Sequence, residues 1–181
     1  MQHNLRILPS IGIEITMSFT FQPMTTEHAR SILGWRYREP YTMYNADPAN
    51  LLDDTAALLD PDYQYYALFQ KHELVGYCCF GEDAQVRGGD YTMPALDVGA
   101  GMRPDLTGQG RGRVVLKAIV RWAERRFAPP ALRVTVAAFN VRAQRACKHA
   151  GFRPTATFRR RSDDQEFVVM VRGSRKQEGG A

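Results

Sequence analysis

Disulfide scaffolds, metal clusters and membrane spans all lack their raw material in this sequence. Only three cysteines occur, Cys78, Cys79 and Cys147; the number is odd, two are neighbours, and no Cys-x-x-Cys spacing appears. That excludes a disulfide framework or a zinc site of ordinary spacing and fits a reducing cytosol. The histidines His3, His28, His72 and His149 stand in no ligand spacing, so each reads as a surface residue and no metal is expected. No apolar run approaches the roughly 20 residues that cross a bilayer. The opening MQHNLRILPSIGIEIT has neither the apolar core nor the cleavage site of a secretory leader. A cytoplasmic protein with no membrane partner is the expectation. Internal repeats and linkers are missing too.

What is present suffices for one core: 181 residues, 44% hydrophobic and 10% aromatic, suit a single domain. Met17 is followed by SFTFQPMTTEHA, which reads as an opening strand and helix. The domain is therefore taken as residues 17–172, with 1–16 an appendage or a misassigned start and 173–181 a flexible basic tail. The formal charge of +5 is unevenly spread. Arg159, Arg160 and Arg161 read as a solvated face, and Arg172, Arg175 and Lys176 as a frayed terminus. Arg103, Arg111 and Arg113 instead flank a glycine loop.

Alternation in FTFQPM marks a first strand, and Thr25 to Tyr37 reads as a helix that ends at EPYTMYN. Asn50 to Leu59 is a short helix, and YQYYALFQ and LVGYCCFG form a hairpin about KHE. ALDVGAGM is a fourth strand. Gly110 to Phe127 is a helix with Val115, Ile119 and Trp122 on one face and Lys117, Arg121 and Glu124 opposite. LRVTVAA is a buried strand, Asn140 caps a helix to Ala150, Gly151 stops it, and FRPTATFRR and EFVVMVR pair last. This order predicts an α/β fold, a mixed, mostly antiparallel sheet flanked by helices.

The most informative stretch runs from Met102 to Arg113, MRPDLTGQGRGR. Glycines at alternate positions let successive N–H groups converge, and the helix they open adds unpaired N–H groups and a positive dipole end, a cradle for pyrophosphate. Arg111 and Arg113 add charge suited to phosphate oxygens. A nucleotide-hydrolase loop would need Gly-Lys-Ser/Thr, and a dinucleotide fold GxGxxG with a later ribose-binding acid; neither occurs. A tight strand-to-helix turn without a ligand is the remaining alternative.

Together these residues resemble the GNAT superfamily of N-acetyltransferases, whose motif Arg/Gln-x-x-Gly-x-Gly/Ala is matched by Thr107-Gly108-Gln109-Gly110-Arg111-Gly112, with Thr107 departing from it. A second block, Asn-x-x-Ala/Ser and then Gly-Phe, is matched by Asn140-Val141-Arg142-Ala143 and Gly151-Phe152. The resemblance covers Phe19 to Arg172. ALDVGAGMRPDLTGQGRG with WRYREPYTMYN looks most like the ribosomal-protein-alanine acetyltransferase-like branch. It implies that the fourth and fifth strands splay apart around pantetheine. Val98, Gly99, Met102 and Arg103 would line that arm, and Gly108, Gln109, Gly110, Arg111, Gly112 and Arg113 would hold pyrophosphate. Asn140 would bond to pantetheine. Acetyl-CoA is thus the implied co-substrate, and a primary amine, on a small molecule or a protein N-terminus, the implied acceptor.

Acetyl transfer by direct attack through a tetrahedral intermediate needs a neutral amine. Asp97 on the fourth strand is the candidate base, with a structural carboxylate as the alternative. Glu39, Tyr41 and Tyr44 would form the acceptor wall, and the N–H of Val98 or Gly99 would receive the oxyanion. Where the family often has an acidic tyrosine, seven residues after the asparagine, stands Cys147, either that acid or a small packing residue in the stripe Ala143, Ala146, Cys147, Ala150. With Cys147 and Thr107 both departing, a catalytically weak acetyl-CoA-binding module is the competing reading. Nucleic acid finds no recognition motif here. Monomer and homodimer both remain open.

Overall fold

A computed structural model describes residues 18–173. The expected appendage at 1–16, His3, and Arg175 and Lys176 of the expected tail lie outside the described residues. Strand β1 (Phe19–Pro23), helix α1 (Thr26–Leu33), helix α2 (Leu51–Leu59), strands β2 (Tyr66–Gln70), β3 (Glu73–Phe80) and β4 (Leu96–Met102) come first. Helix α3 (Arg111–Phe127), strand β5 (Ala131–Ala137), helix α4 (Val141–His149) and strands β6 (Arg153–Arg159) and β7 (Glu166–Gly173) follow.

Local chemistry accounts for most boundaries. Thr25 Oγ1 accepts from His28 N to start α1. That helix ends at Leu33, four residues short of the expected Tyr37: Arg36 folds back and donates to the carbonyls of Leu33 and Trp35, satisfying groups that a further turn would have paired. Asn140 Oδ1 accepts from Ala143 N at 3.1 Å to open α4.

The seven strands form one sheet in the order β1-β2-β3-β4-β5-β7-β6. Every neighbouring pair is antiparallel except β4 and β5, which run parallel. Their pairing covers only Leu96↔Leu132 and Asp97↔Arg133, whereas β5 pairs with β7 along its whole length, from Ala131↔Gly173 to Ala137↔Phe167. The expected splay of the fourth and fifth strands is therefore present, and it opens immediately after Asp97.

Helices flank the sheet, α3 beside α4 and α1 beside α2. The apolar face of α3 buries Val115, Leu116, Ile119, Val120 and Ala123 in one cluster with Leu68, Phe80, Leu132 and Met170. Trp122 is half-buried and stacks on Phe21 with ring centres 4.9 Å apart. Glu124, expected on the solvent face, instead pairs with Arg172 at 2.9 Å. Arg172 also donates to Ala150 O at 3.0 Å, so it joins α3, α4 and β7 and is no part of a frayed end. Arg159 and Arg160 do lie on an open face, paired with Asp164 and Asp163.

Candidate active site

A cavity of about 590 Å³ fills the gap between β4 and β5 and extends across α3 and α4 to the loop after α1, a volume typical of small-molecule sites. Its β4 edge is set by ladder parity. Gly81 N donates to Asp97 O and Arg103 N to Val75 O, so the backbone groups of Asp97, Gly99, Gly101 and Arg103 turn toward β3. Those of Val98, Ala100 and Met102 turn toward the gap. Of the two expected oxyanion donors, Val98 is therefore on the correct edge, and the Gly99 N–H sits on the β3 side with Cys79.

At the mouth lies the glycine loop. Gly108 and Gly110 adopt φ of +77° and +74°, left-handed conformations that side-chain-bearing residues reach only with strain. No side chain caps α3 behind Gly110, which leaves the first N–H groups and the dipole end for an anion. Gly108, Gly110, Gly112 and Arg113 all line the cavity. Gln109 and Arg111, expected in the same cradle, do not; Gln109 Nε2 donates back to Asp105 O. Arg103 is likewise turned away, its guanidinium held by Asp105 at 2.8 Å and Glu73 at 3.4 Å.

Asp97 is not placed as a base. It is 4% exposed and absent from the cavity lining. Arg133 Nε donates to its Oδ1 at 2.6 Å and Arg133 Nη2 to its Oδ2 at 2.8 Å, while Gln85 Nε2 donates to Oδ2. Both carboxylate oxygens are thus occupied, which matches the structural alternative, with side chains rather than backbone as partners. Cys147 does line the cavity, but burial pushes its thiol up to about 12. Desolvation disfavours its charged form, so this thiol is a weaker acid than a free one. Packing, not acid catalysis, is the role this position fits.

The expected acceptor wall is partly assembled. Tyr41 and Tyr44 line the large cavity, whereas Glu39 lines a second, neighbouring one of about 470 Å³ and accepts from Thr42 Oγ1. Asn140 Nδ2 donates to Tyr44 Oη at 3.1 Å. Tyr37 and Tyr77 were not foreseen, yet both line the cavity, and Tyr37 Oη donates to Met102 O on the gap edge at 2.9 Å. Burial raises the hydroxyl pKa of Tyr44 and Tyr77 and pushes Tyr37 up to about 12, so all three hydroxyls are neutral at physiological pH. Tyr37 belongs to the aromatic run after α1, a signal available in the sequence; Tyr77 sits mid-strand and has none. Thr135, Arg142 and His149 also line the cavity unforeseen, although Arg142 falls inside the Asn-x-x-Ala block. No carboxylate lines the large cavity among the described residues.

The family described as "Acetyltransferase (GNAT) domain" matches residues 18–153. No curated protein sequence matches the chain. Solved structures similar to it include aminoglycoside acetyltransferase AAC(6')-Ib with coenzyme A, at 20% identity and TM-score 0.68 over 86% of this chain and 95% of that one. The same enzyme with acetyl-CoA gives 19% and 0.69 over 91% and 99%. A spermidine N-acetyltransferase SpeG chimera from Vibrio cholerae and hSSAT gives 14% and 0.64 over 84% and 93%. Identities this low speak for the fold alone.

Proposed function

The chain belongs to the GNAT family of acetyltransferases, and from that premise we propose that it transfers acetyl from acetyl-CoA to a primary amine by direct attack. One observation carries this reading: the β4–β5 gap opens above Asp97 and ends at an uncapped helix start lined by Gly108, Gly110 and Gly112. A Cβ at Gly110 would meet no atom within 4 Å, so open space lies over the cradle. Gly108, Gly110, Gly112 and Arg113 would hold the pyrophosphate, and the edge groups of Val98, Ala100 and Met102, with Asn140 Nδ2, the pantetheine arm. Bound there, acetyl-CoA supplies an acetyl group already activated as a thioester.

The protein's own contribution is binding, orientation and exclusion of water by the tyrosine wall. With Asp97 sequestered, the amine loses its proton to solvent before attack, so the rate should rise with pH along the acceptor's own titration. Known neighbours act on an aminoglycoside and on spermidine, both polycations. A cavity without carboxylates favours an amine of single charge, such as a protein N-terminus, in keeping with the ribosomal-protein-alanine acetyltransferase-like branch. The occupied Asp97 and the high-pKa Cys147 also favour a second reading, an acetyl-CoA-binding module with weak turnover.

Calorimetry with acetyl-CoA on the wild type and Gly110→Trp tests the site, since the indole would lie across the cradle. Micromolar binding lost in the folded variant supports it, and no binding by the wild type sinks it. Release of CoA with an N-terminal alanine peptide, spermidine or an aminoglycoside then separates transferase from module.

A further inference from the structure

Arg142 touches both ends of the cavity, the glycine loop and the tyrosine wall. It projects from the first turn of α4, and its guanidinium carbon lies 3.7 Å from the centre of the Tyr41 ring, a stacked cation–π contact. Nη1 donates to Thr107 Oγ1 at 3.5 Å and lies 3.7 Å from where a Cβ on Gly108 would stand. The same side chain lines the large cavity and the second cavity beside it. Arg103, a guanidinium before this loop, is instead neutralised by Asp105 and Glu73. Arg142 takes part in none of the ion pairs among the described residues. A guanidinium carries five donors; here a single long contact uses one of them, and the aromatic face leaves the rest in plane and available.

We propose that Arg142 couples the two halves of the site: it binds a phosphate oxygen of the coenzyme over Gly108 while still stacked on Tyr41, so that coenzyme binding orders the acceptor wall. This rests on the acetyl-CoA reading above. Ordering by this route reaches a compact set of hydrogen bonds. Tyr41 N donates to Arg38 O at 2.8 Å, Tyr44 N to Tyr41 O at 3.1 Å and Asn45 N to Thr42 O at 3.0 Å, while Tyr37 N donates to Asn45 Oδ1 at 2.7 Å. The neighbouring Asn140–Tyr44 bond fastens the same wall to the same helix end, and Tyr37 Oη ties it to Met102 O, so immobilising Arg142 adds a restraint to a wall already held at these points. Coupling of this kind is reciprocal, and an occupied wall must tighten coenzyme binding by the factor that coenzyme tightens the wall.

Arg142 is exposed, so Arg142→Met should fold; a thermal melt checks this. The probe is CoA itself. Calorimetry should show Kd raised roughly tenfold to a hundredfold in Arg142→Met, the range for a charge-assisted hydrogen bond, and less in Arg142→Lys, which keeps the charge. Amide hydrogen exchange gives the readout that a merely structural role does not move. In the wild type, saturating CoA should slow exchange at 106–113 and at Tyr41, Tyr44 and Asn45. In Arg142→Met at saturation, 106–113 should still be protected and the wall should not. Tyr41→Leu should lose the wall response while binding CoA more tightly than Arg142→Met. Equal Kd in wild type and Arg142→Met, or undiminished wall protection in that variant, overturns the proposal. Failure of the wild type to bind CoA overturns the acetyl-CoA reading itself, a distinct result.

Discussion

Replacing Asp97 by alanine leaves the Arg133 guanidinium buried without its counter-charge. The two side chains are 5% and 3% exposed, and the pair makes two short bonds, 2.6 and 2.8 Å. Arg133 keeps only the carbonyls of Met93 at 3.0 Å and Tyr91 at 3.4 Å and the Tyr91 ring at 4.7 Å. Removing one partner of such a pair costs about 3–5 kcal/mol. At about 2–4 °C per kcal/mol for a domain of this size, Tm should fall by roughly 6–20 °C. The double replacement Asp97→Leu with Arg133→Met removes both charges and should recover most of that loss, because a buried pair and an apolar pair of similar volume are close in stability. Urea unfolding followed by circular dichroism measures the cycle. Because Asp97↔Arg133 is the last paired rung before the gap, the double variant should also bind acetyl-CoA more weakly if the opposed charges set where the strands part. The reasoning fails if Asp97→Ala lies within about 1 kcal/mol of wild type. It fails equally if a stable Asp97→Asn binds the coenzyme normally yet loses a hundredfold or more in turnover, which would restore Asp97 as the base.

Three further outcomes follow from the same structure. Cys147→Ala should keep CoA release within about threefold of wild type, since burial makes this thiol a weaker acid than a free one; a tenfold or larger loss in a folded variant would return it to the mechanism. Stability should decline in alkali: Cys147 and Tyr37 have folded pKa values raised from 9.0 and 10.0 to about 12, so above about pH 9 the folded state holds more protons than the unfolded one, and the contribution present below that pH is lost as pH climbs to about 12. Urea midpoints at pH 7.5 and 10.5 should fall more for wild type than for Cys147→Ala, and equal falls would contradict the burial. Arg172→Ala breaks the links to Glu124 and Ala150 and should destabilise by about 1–3 kcal/mol; no measurable change would mean that the half-buried bridge contributes nothing.

Short-range chemistry made much of this protein legible before its fold was known. The apolar stripe of α3, the Asn140 cap, the two hairpins and the alternate glycines each depend on residues within a few positions of one another, and apart from Glu124 on the far face of α3 they appear as expected. The glycine loop was readable for the same reason, since a left-handed glycine and a helix start are local events. Helix α1 shows the limit even there: its end depends on Arg36 folding back, and no period in the sequence announces that.

Chain separation marks where sequence reading gives out. Asp97 is 36 residues from Arg133, which occupies its carboxylate, and Tyr44 is 96 residues from Asn140, to which it is bonded. A carboxylate on the fourth strand looks the same in sequence whether it faces a cavity or an arginine, and strand parity, with the partner across the sheet, decided which. Cys147 could be assigned to a buried stripe, yet its proton affinity follows from how completely tertiary packing removes water. By itself the sequence determined most elements and the glycine turn that opens α3, because hydrogen bonds to near neighbours and the spacing of apolar residues are written locally. Only the tertiary structure decided which charges are neutralised, which hydroxyls meet in the cavity and where β4 leaves β5, because desolvation and long-range pairing exist only once distant segments are packed together.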